Sequence, residues 1–420
     1  MLKRAHLFVL SKADRLIRNN TSFSATMSDA IDAFNQKKEE LKQQKLEHKA
    51  RCIKKRQWVE SKLTEEEIAA KRANFDPADR IKRKKCALLM GYCGADYYGM
   101  QRNPGMQTIE EDLFNAMLKH KWITEEGFNQ AQQTQFQRAA RTDKGVSAAR
   151  QICSIKLPDD IDVGALNSDL PEVIRVFAVK RVTKGFNAKD KCNARTYTYT
   201  LPSVAFQDHS NELNMETYRI SNEVLERVNS VLKLYEGTKN YHNFTSKKNF
   251  LDPSSKRFMM SFTSSEPFVS PQGIEFLTLK VKGQSFMLHQ IRKMVGVAIS
   301  VVRGNTTEAT IARAFTEERL DLPMAPGLGL VLDQVHYDRY NDRYGEDGIH
   351  QPLTWDELEP EIEKFVEKYI YSNIYDTEFK EKSMIEWLET LKLHSYDVRD
   401  NKDEMNVSEA IVATTVQITQ

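Results

Sequence analysis

The apolar and polar positions divide the chain into a folded centre between charged flanks. Residues 37–85 carry many charged and few large apolar side chains, which is typical of a solvated helix or a disordered arm. The run 86–93 is short and apolar and predicts a buried strand. The segment 108–120 places apolar residues at helical spacing behind an acidic first turn. The folded body therefore begins near Cys86.

Beyond this point, strand-like and helix-like segments alternate in two similar cycles. β-Branched and alternating runs predict strands at 151–157, 173–182, 196–201, 256–263 and 274–281. Apolar stripes predict helices at 222–235, 285–303 and 311–315, before a glycine-rich segment and strand at 327–332. The order predicts an α+β body over 86–340, in which two similar α/β halves, divided near 200–220, form one mixed, largely antiparallel sheet with flanking helices. The cleft between the halves is the natural position for a site.

The region after residue 340 predicts an acidic helical extension over 341–396. Amphipathic helices are predicted at 355–371 and 379–391, and we expect their apolar stripes to pack on the body. Residues 397–420 show no such stripe, and we expect them to form a disordered tail.

The first 26 residues differ from all that follows. They hold five basic residues and one acidic residue with apolar residues interleaved, which is typical of a mitochondrial presequence. An ordinary disordered tail is the alternative. Met27 opens the charged, flexible arm 27–85 and is a second candidate start site. The arm ends in a basic cluster at 80–85, of the kind that directs nuclear import or contacts RNA. We therefore expect the protein in the mitochondrion and the nucleus.

The formal net charge of +2 hides a strong asymmetry. Residues 341–420 contain 19 acidic and 8 basic residues, a net charge of −11, so residues 1–340 carry +13. A basic body suits a polyanionic partner such as nucleic acid. No run of about 18 uncharged apolar residues occurs, so no membrane-spanning helix is expected.

The five cysteines contain no CxxC pair. Their number and spacing favour reduced thiols over a disulfide framework or a zinc site, and no metal is predicted. The Gly-x-Gly at 327–329 is weak evidence for a nucleotide site.

Two segments carry candidate chemistry. The polar segment 137–149 contains Asp143 two residues after Arg141, with Gly145 permitting a tight turn. Asp143 is a candidate site carboxylate, although a turn aspartate bonded to local backbone is the alternative. In the predicted helix 285–303, Arg292 shares a stripe with apolar Leu288. An arginine there is costly unless paired, the alternative being a side chain that reaches solvent at the helix edge.

Read in order, these segments resemble the motifs of the TruA family of pseudouridine synthases. The resemblance covers 86–340 and rests on Gly-Tyr-Cys-Gly at 91–94 with the loop 98–103, Arg-Thr-Asp-Lys-Gly-Val at 141–146, Arg-Thr-Tyr-Thr-Tyr at 195–199, Gly-Thr-Lys-Asn-Tyr-His-Asn-Phe at 237–244, the segment 283–296, and Gly-Leu-Gly-Leu at 327–330.

The resemblance implies a role for each matching residue. Asp143 takes the catalytic position, as a nucleophile or an electrostatic stabiliser. Arg292 is expected to pair with Asp143 and keep it ionised. Tyr197 meets the target base and could accept or relay a proton. Arg141, Lys144 and Leu288 are expected to bind the RNA substrate, with Arg141 filling the space that a flipped base leaves.

The same resemblance implies an activity. Uridine and pseudouridine are isomers, so the enzyme needs neither cosubstrate nor cofactor. The closest subfamily modifies uridines 27 and 28 of tRNA, and small nuclear RNA or messenger RNA are further expected partners. The alternatives are the subfamily that acts on positions 38–40 of the anticodon loop, and a non-catalytic module that binds or folds tRNA. The extensions favour a monomer.

Overall fold

A computed structural model describes residues 82–246 and 248–399 of the chain. The predicted presequence, and most of the predicted arm and tail, lie outside these residues. Within the described ranges, ten strands form one sheet with helices packed against it, which confirms the predicted α+β class. No described helix has both the length and the apolar content needed to cross a membrane.

The sheet joins the two halves through its last strand. Its strands are β1 (Lys84–Tyr92), β2 (Gln137–Arg138), β3 (Ser147–Leu157), β4 (Ile174–Arg181), β5 (Ala194–Pro202), β6 (Gly237–Asn240), β7 (Lys256–Ser264), β8 (Phe268–Val269), β9 (Glu275–Gly283) and β10 (Leu330–His336). Their order is β4-β1-β3-β10-β5-β9-β7-β6, with β2 on β3 and β8 on β9. Strand β10 lies parallel to β3, and the other described pairs are antiparallel.

Helices pack around this sheet. They are α1 (Ile109–Lys119), α2 (Glu125–Asn129), α3 (Val163–Ser168), α4 (Asn222–Lys233), α5 (Gln290–Val302), α6 (Glu308–Arg313), α7 (Asp338–Tyr344), α8 (Glu359–Phe365), α9 (Ser372–Glu381) and α10 (Ser383–Leu388). The Thr108 hydroxyl caps α1 by accepting from the backbone N–H of Glu111, and the Ser221 hydroxyl caps α4 in the same way. The sequence pattern did not predict α2, α3 and α7, which are only five to seven residues long.

Helix α5 forms the centre of the second half, and a glycine sets its distance from a neighbouring segment. A Cβ atom on Gly296 would lie 2.8 Å from the carbonyl oxygen of Pro323. Only glycine therefore lets residues 323–325 pass this close to the helix. This close approach brings the Ala325 carbonyl within hydrogen-bonding reach of Arg292 on the same helix.

The acidic extension packs on one face of the sheet. Helix α8 continues without a break through a π-helical turn (Val366–Tyr371) into α9, so the predicted helix end near 371 is wrong. The run ends after Glu381, at Lys382, whose left-handed backbone precedes α10. The ring of Phe365 packs edge-on against Phe177 of β4, with 5.7 Å between the centroids.

The chain after α10 remains ordered beyond the predicted end of the extension. The backbone N–H of Asp321 donates to the carbonyl of Asp397, and that of Arg399 donates to the carbonyl of Arg319. Residues 397–399 were predicted to belong to a disordered tail, and they form instead a short bridge to residues 319–321. The rest of the predicted tail lies outside the described residues.

Candidate active site

A cavity of about 630 Å³ opens between the two halves of the body. One wall is the loop that connects β2 to β3, and the facing wall is the segment between β9 and the first turn of α5. Five of the six residues predicted to form the site line this cavity: Arg141, Asp143, Tyr197, Leu288 and Arg292. The sixth, Lys144, does not; its ammonium group lies 4.5 Å from the centre of the Tyr98 ring.

Backbone hydrogen bonds hold the loop that carries Asp143. The N–H of Val146 donates to the Asp143 carbonyl at 3.1 Å and closes a turn, in which Gly145 adopts φ = +78°. The N–H of Gly145 donates to the Tyr97 carbonyl at 3.1 Å, and that of Met100 donates to the Thr142 carbonyl at 3.2 Å. The exposed Asp143 side chain is therefore presented from a rigid backbone.

Glycines allow the neighbouring segment to approach this loop. A Cβ atom on Gly99, where φ is +87°, would lie 2.7 Å from the Thr142 carbonyl oxygen. One on Gly94 would lie 2.3 Å from the carbonyl oxygen of Val146. Any larger residue at either position would push the loop, and Asp143 with it, away from its place.

Two polar side chains that the sequence did not single out as site residues hold the base of the loop. The buried amide of Gln151 exchanges two hydrogen bonds with the backbone of Ala140, at 2.8 and 3.2 Å. The guanidinium of Arg195 donates to the Ala139 carbonyl at 2.7 Å and to the Gln284 carbonyl at 3.3 Å. Arg195 thus ties one wall to the other. Arg195 lies two residues before Tyr197 on β5, so both side chains are on the same face of the sheet. This spacing could have identified Arg195 as a site residue from the sequence.

Tyr197 forms the floor of the cavity. Its side chain is 8% exposed, and its ring packs edge-on against Phe286 with 5.2 Å between the centroids. Burial is the main cause that raises the pKa of Tyr197 to about 12, with the charge of Asp143 adding to the rise and that of Arg195 opposing it. At neutral pH Tyr197 is therefore a phenol, which can donate a hydrogen bond to a bound nucleotide but is a poor proton acceptor.

Arg292 faces Asp143 across the cavity from the first turn of α5. Its Nε donates to the Ala325 carbonyl at 2.7 Å. Burial lowers the pKa of Arg292, and the neighbouring Tyr199 and the negative charge of Asp143 act in the opposite direction. The described ion pairs include none between Arg292 and Asp143, so the expected direct pairing is absent from this structure, and the two charges interact at longer range.

Leu288 lies outside the helix in which it was predicted. Helix α5 begins at Gln290 rather than at 285, because His289 takes a left-handed backbone with φ = +62° and ends the preceding loop. The side-chain oxygen of Gln290 accepts from the N–H of Met287 at 2.9 Å, and the Thr245 hydroxyl donates to the Leu288 carbonyl at 2.8 Å. Leu288 is left 52% exposed at the cavity.

The charges that line the cavity are strongly unequal. Asp143 is the single carboxylate among the described lining residues, against the cations of Arg138, Arg141, Lys189, Arg195 and Arg292. The carboxylate of Glu110 pairs with Arg138, and within residues 82–246 and 248–399 the other four cationic side chains have no salt bridge. A cationic cleft with one carboxylate can bind a phosphodiester chain and supply one anionic group to a bound nucleotide.

Comparison with known proteins relates this geometry to a family. A sequence profile described as tRNA pseudouridine synthase matches residues 231–338. The mouse protein named pseudouridylate synthase 1 homolog is 48% identical over 326 residues, which cover 76% of this chain and 77% of the mouse protein. Its human counterpart is 48% identical over 314 residues, covering 74% and 73%. The Saccharomyces cerevisiae protein named tRNA pseudouridine synthase 1 is 32% identical over 362 residues, covering 67% and 66%.

Proposed function

Because the chain belongs to the TruA family of tRNA pseudouridine synthases, and so converts uridine to pseudouridine in tRNA, we propose that Asp143 is its catalytic carboxylate. The observation that carries this proposal is that Asp143 is the single carboxylate lining a cleft of cations, among the described residues. The reaction breaks the N1–C1′ bond of the nucleotide and forms a C5–C1′ bond. A carboxylate in this position can attack the nucleotide or stabilise the cationic sugar.

The remaining predicted residues surround Asp143 with contacts for a flipped nucleotide. A uridine within a stem must leave the stack before it can react, at a cost of roughly a few kcal/mol. Arg141 is exposed beside Asp143 and can occupy the space that the uridine leaves. Tyr197 and the exposed Leu288 bound the cavity that receives the base. Lys144 lies outside the cavity and can contact a phosphate at its edge.

An Asp143→Ala protein tests whether the carboxylate acts in catalysis or in binding. We expect tRNA affinity close to that of the wild type and no pseudouridine product. Turnover near the wild-type rate would refute the assignment of Asp143. The variant also separates an enzyme from a module that only binds tRNA, since such a module would lose nothing on this substitution.

We further propose uridines 27 and 28 of tRNA as the targets. The support is that the residues at 138–149, 235–245 and 289–296 resemble the corresponding motifs of the subfamily with that specificity. The test is to map pseudouridine on an unmodified transcript that has uridines at 27 and at 38–40, with purified protein and no added cofactor. Product at 27 or 28 supports the proposal, and product only at 38–40 overturns it while keeping the chemistry.

We propose small nuclear RNA and messenger RNA as further substrates, because the cations that line the cavity can bind the phosphodiester chain of any RNA. Short stem-loops carrying a single uridine, offered in place of tRNA, test this. Modification at a rate within a few times that of tRNA supports a broad substrate range. No modification of any stem-loop would restrict the enzyme to tRNA.

We propose that the protein acts as a monomer and is found in both the mitochondrion and the nucleus. Helices α8 and α9 cover one face of the sheet, where Arg150 of β3 pairs with Glu359, and this supports a single copy. Sedimentation at micromolar concentration tests whether the protein is a monomer, and a stable dimer would contradict this proposal.

The support for the proposed location is the composition of residues 1–26 and 80–85. Fluorescent fusions that begin at Met1 or at Met27 test it, since only the first should enter mitochondria.

A further inference from the structure

The reaction requires a proton transfer, for which the family resemblance offers Tyr197 as one candidate residue. Once the C5–C1′ bond has formed, C5 still carries its hydrogen, and N1 lacks one. A proton must leave C5 and another must reach N1 before pseudouridine is complete. A side chain that performs this transfer must be able to accept a proton at neutral pH and must line the cavity.

Most titratable side chains of the cavity do not meet this requirement. Those of Arg138, Arg141, Lys189, Arg195 and Arg292 are cations and have no acceptor atom. Tyr197 is held as a phenol by its burial. Asp143 acts on the sugar or the base in the preceding step. Among the described lining residues, His289 is the titratable group that remains.

His289 lines the cavity from a left-handed backbone conformation. Its φ of +62° is uncommon for a residue with a Cβ atom. Strain of this kind is often found where a side chain has a function. Its carbonyl accepts from the N–H of Lys293 at 3.0 Å, so the backbone is fixed at the start of α5. The imidazole makes no hydrogen bond to another described residue, and its nitrogens remain available to a ligand.

Burial and the neighbouring cations keep the imidazole of His289 neutral. Burial is the main cause that lowers the pKa of His289, followed by the positive charge of Arg292. The charge of Asp143 opposes this shift, and that of Lys293 adds to it. A neutral imidazole has one acceptor nitrogen and one N–H donor, so it can take a proton at one place and return one at another.

We propose that His289 transfers the C5 proton of the rejoined base to N1. The C5–H bond breaks, its proton goes to the imidazole, and its electron pair forms the C5=C6 double bond. The electrons of the C6=N1 double bond move to N1, which takes a proton from the imidazolium. His289 ends neutral, and no oxidant, reductant or further reactant is consumed. The inference rests on the proposed role of Asp143, which acts before this step.

Single-turnover kinetics with tRNA that carries deuterium at C5 of the target uridine test the proposal. In His289→Ala we expect the rate to fall by about 100-fold, the low end for loss of a general acid–base group. The C5–H step then limits the reaction, so a primary deuterium isotope effect larger than that of the wild type should appear. Added imidazole should restore part of the rate and reduce the isotope effect.

The neighbouring variant Leu288→Ala is the matched control, because it removes another cavity contact without a titratable group. It should bind the nucleotide less tightly but show the isotope effect of the wild type. A His289→Ala protein that binds tRNA normally, yet keeps its rate, overturns the proposal. So does one that is slower with no added isotope effect and no rescue by imidazole. Failure of the Asp143 assignment is seen separately, since Asp143→Ala would then still give product.

Discussion

The two walls of the cavity are held in place by different kinds of contact. The Asp143 turn is fixed by backbone hydrogen bonds to Tyr97 and Met100 and by two close approaches at glycine, while the Gln151 and Arg195 side chains hold only the base of the loop. The loop of the Arg292 wall is held by side chains: the side-chain oxygen of Gln290 accepts from the N–H of Met287, and the Thr245 hydroxyl donates to the Leu288 carbonyl.

The difference affects how each wall responds to change. A backbone-held loop depends on the absence of side-chain atoms, so adding a methyl group damages it more than removing one. A wall held by side chains depends on partners that are distant in sequence, such as Ala325, and fails when such a partner moves. The carboxylate therefore stands on the more rigid wall, and its cationic counterpart stands on the more adjustable one.

The largest expected effect on the reaction rate comes from the Asp143 carboxylate on the more rigid wall. Asp143→Asn keeps the size and the turn but removes the negative charge. We expect single-turnover rates to fall by at least about 1,000-fold, as when a central catalytic group is lost. Thermal unfolding should be unchanged, because the carboxylate makes no hydrogen bond that the described structure needs. Loss of stability together with activity would show that the Asp143 side chain also holds the loop.

The next effect comes from cutting the connection between the walls. Arg195→Met removes the hydrogen bonds to Ala139 and Gln284, and we expect kcat to fall about 100-fold through misplacement of the reacting groups. The KM for tRNA should change little. Arg195→Lys is the matched variant, since it keeps the charge but not the fork, and it should recover only part of the rate. An equal rise in KM with kcat unchanged would mean that Arg195 binds RNA instead.

Alanine substitutions at Gly145, in the Asp143 loop, and at Gly99, which packs against that loop, distinguish backbone strain from steric crowding. Gly99 and Gly145 both have positive φ, but only at Gly99 would a Cβ atom meet a neighbour, at 2.7 Å from the Thr142 carbonyl oxygen. Gly145→Ala should cost about 1 kcal/mol of unfolding free energy, and Gly99→Ala roughly 2–3 kcal/mol. Urea titration measures both. Equal costs would contradict the close packing of the segment 97–100 on the loop.

The smallest expected effect is on the unfolding free energy and concerns Asp321, in the segment next to the more adjustable wall. The partly buried Asp321 receives a hydrogen bond from His394 at 2.9 Å and pairs with Arg399 at 3.3 Å. Burial acts to raise the pKa of Asp321, but the hydrogen bond and charge of His394 and the charge of Arg399 outweigh it and lower the pKa to about 2. Since the folded pKa lies below the ordinary value, this carboxylate stabilises the fold above about pH 4.

Asp321→Asn should therefore lower the unfolding free energy at pH 7 by about 1.5 kcal/mol, the lower end for a hydrogen bond to a charged group. The difference from the wild type should shrink as the pH falls from about 4 to 2, where the wild-type carboxylate becomes protonated. Urea titrations at a series of pH values measure it. Glu389→Gln, which removes an exposed ion pair with Lys392, is the control and should have little effect at any pH.

Local patterns in the sequence were enough to predict most of the elements and the residues around the cavity. The strands and helices predicted for the body appear within about five residues of their predicted limits, because burial on one face imposes a period of two or 3.6, whereas the short strands β2, β6 and β8 were not predicted. The turn at Asp143 could also be predicted from the sequence, since Gly145 and the small residues around it are typical of a tight turn. The short helices α2, α3 and α7 carry too few turns to show a stripe.

Only the tertiary structure decided how the two walls meet. The start of α5 at Gln290, the absence of a direct Asp143–Arg292 pair, and the place of Arg195 between Ala139 and Gln284 depend on residues far apart in sequence. The ordered bridge of residues 397–399 to 319–321 depends on them as well. Such contacts follow from the packing of one segment against another, and the local hydrophobic pattern carries no information about them. The secondary-structure elements and the chemistry of the individual motifs, in contrast, were determined by the sequence itself.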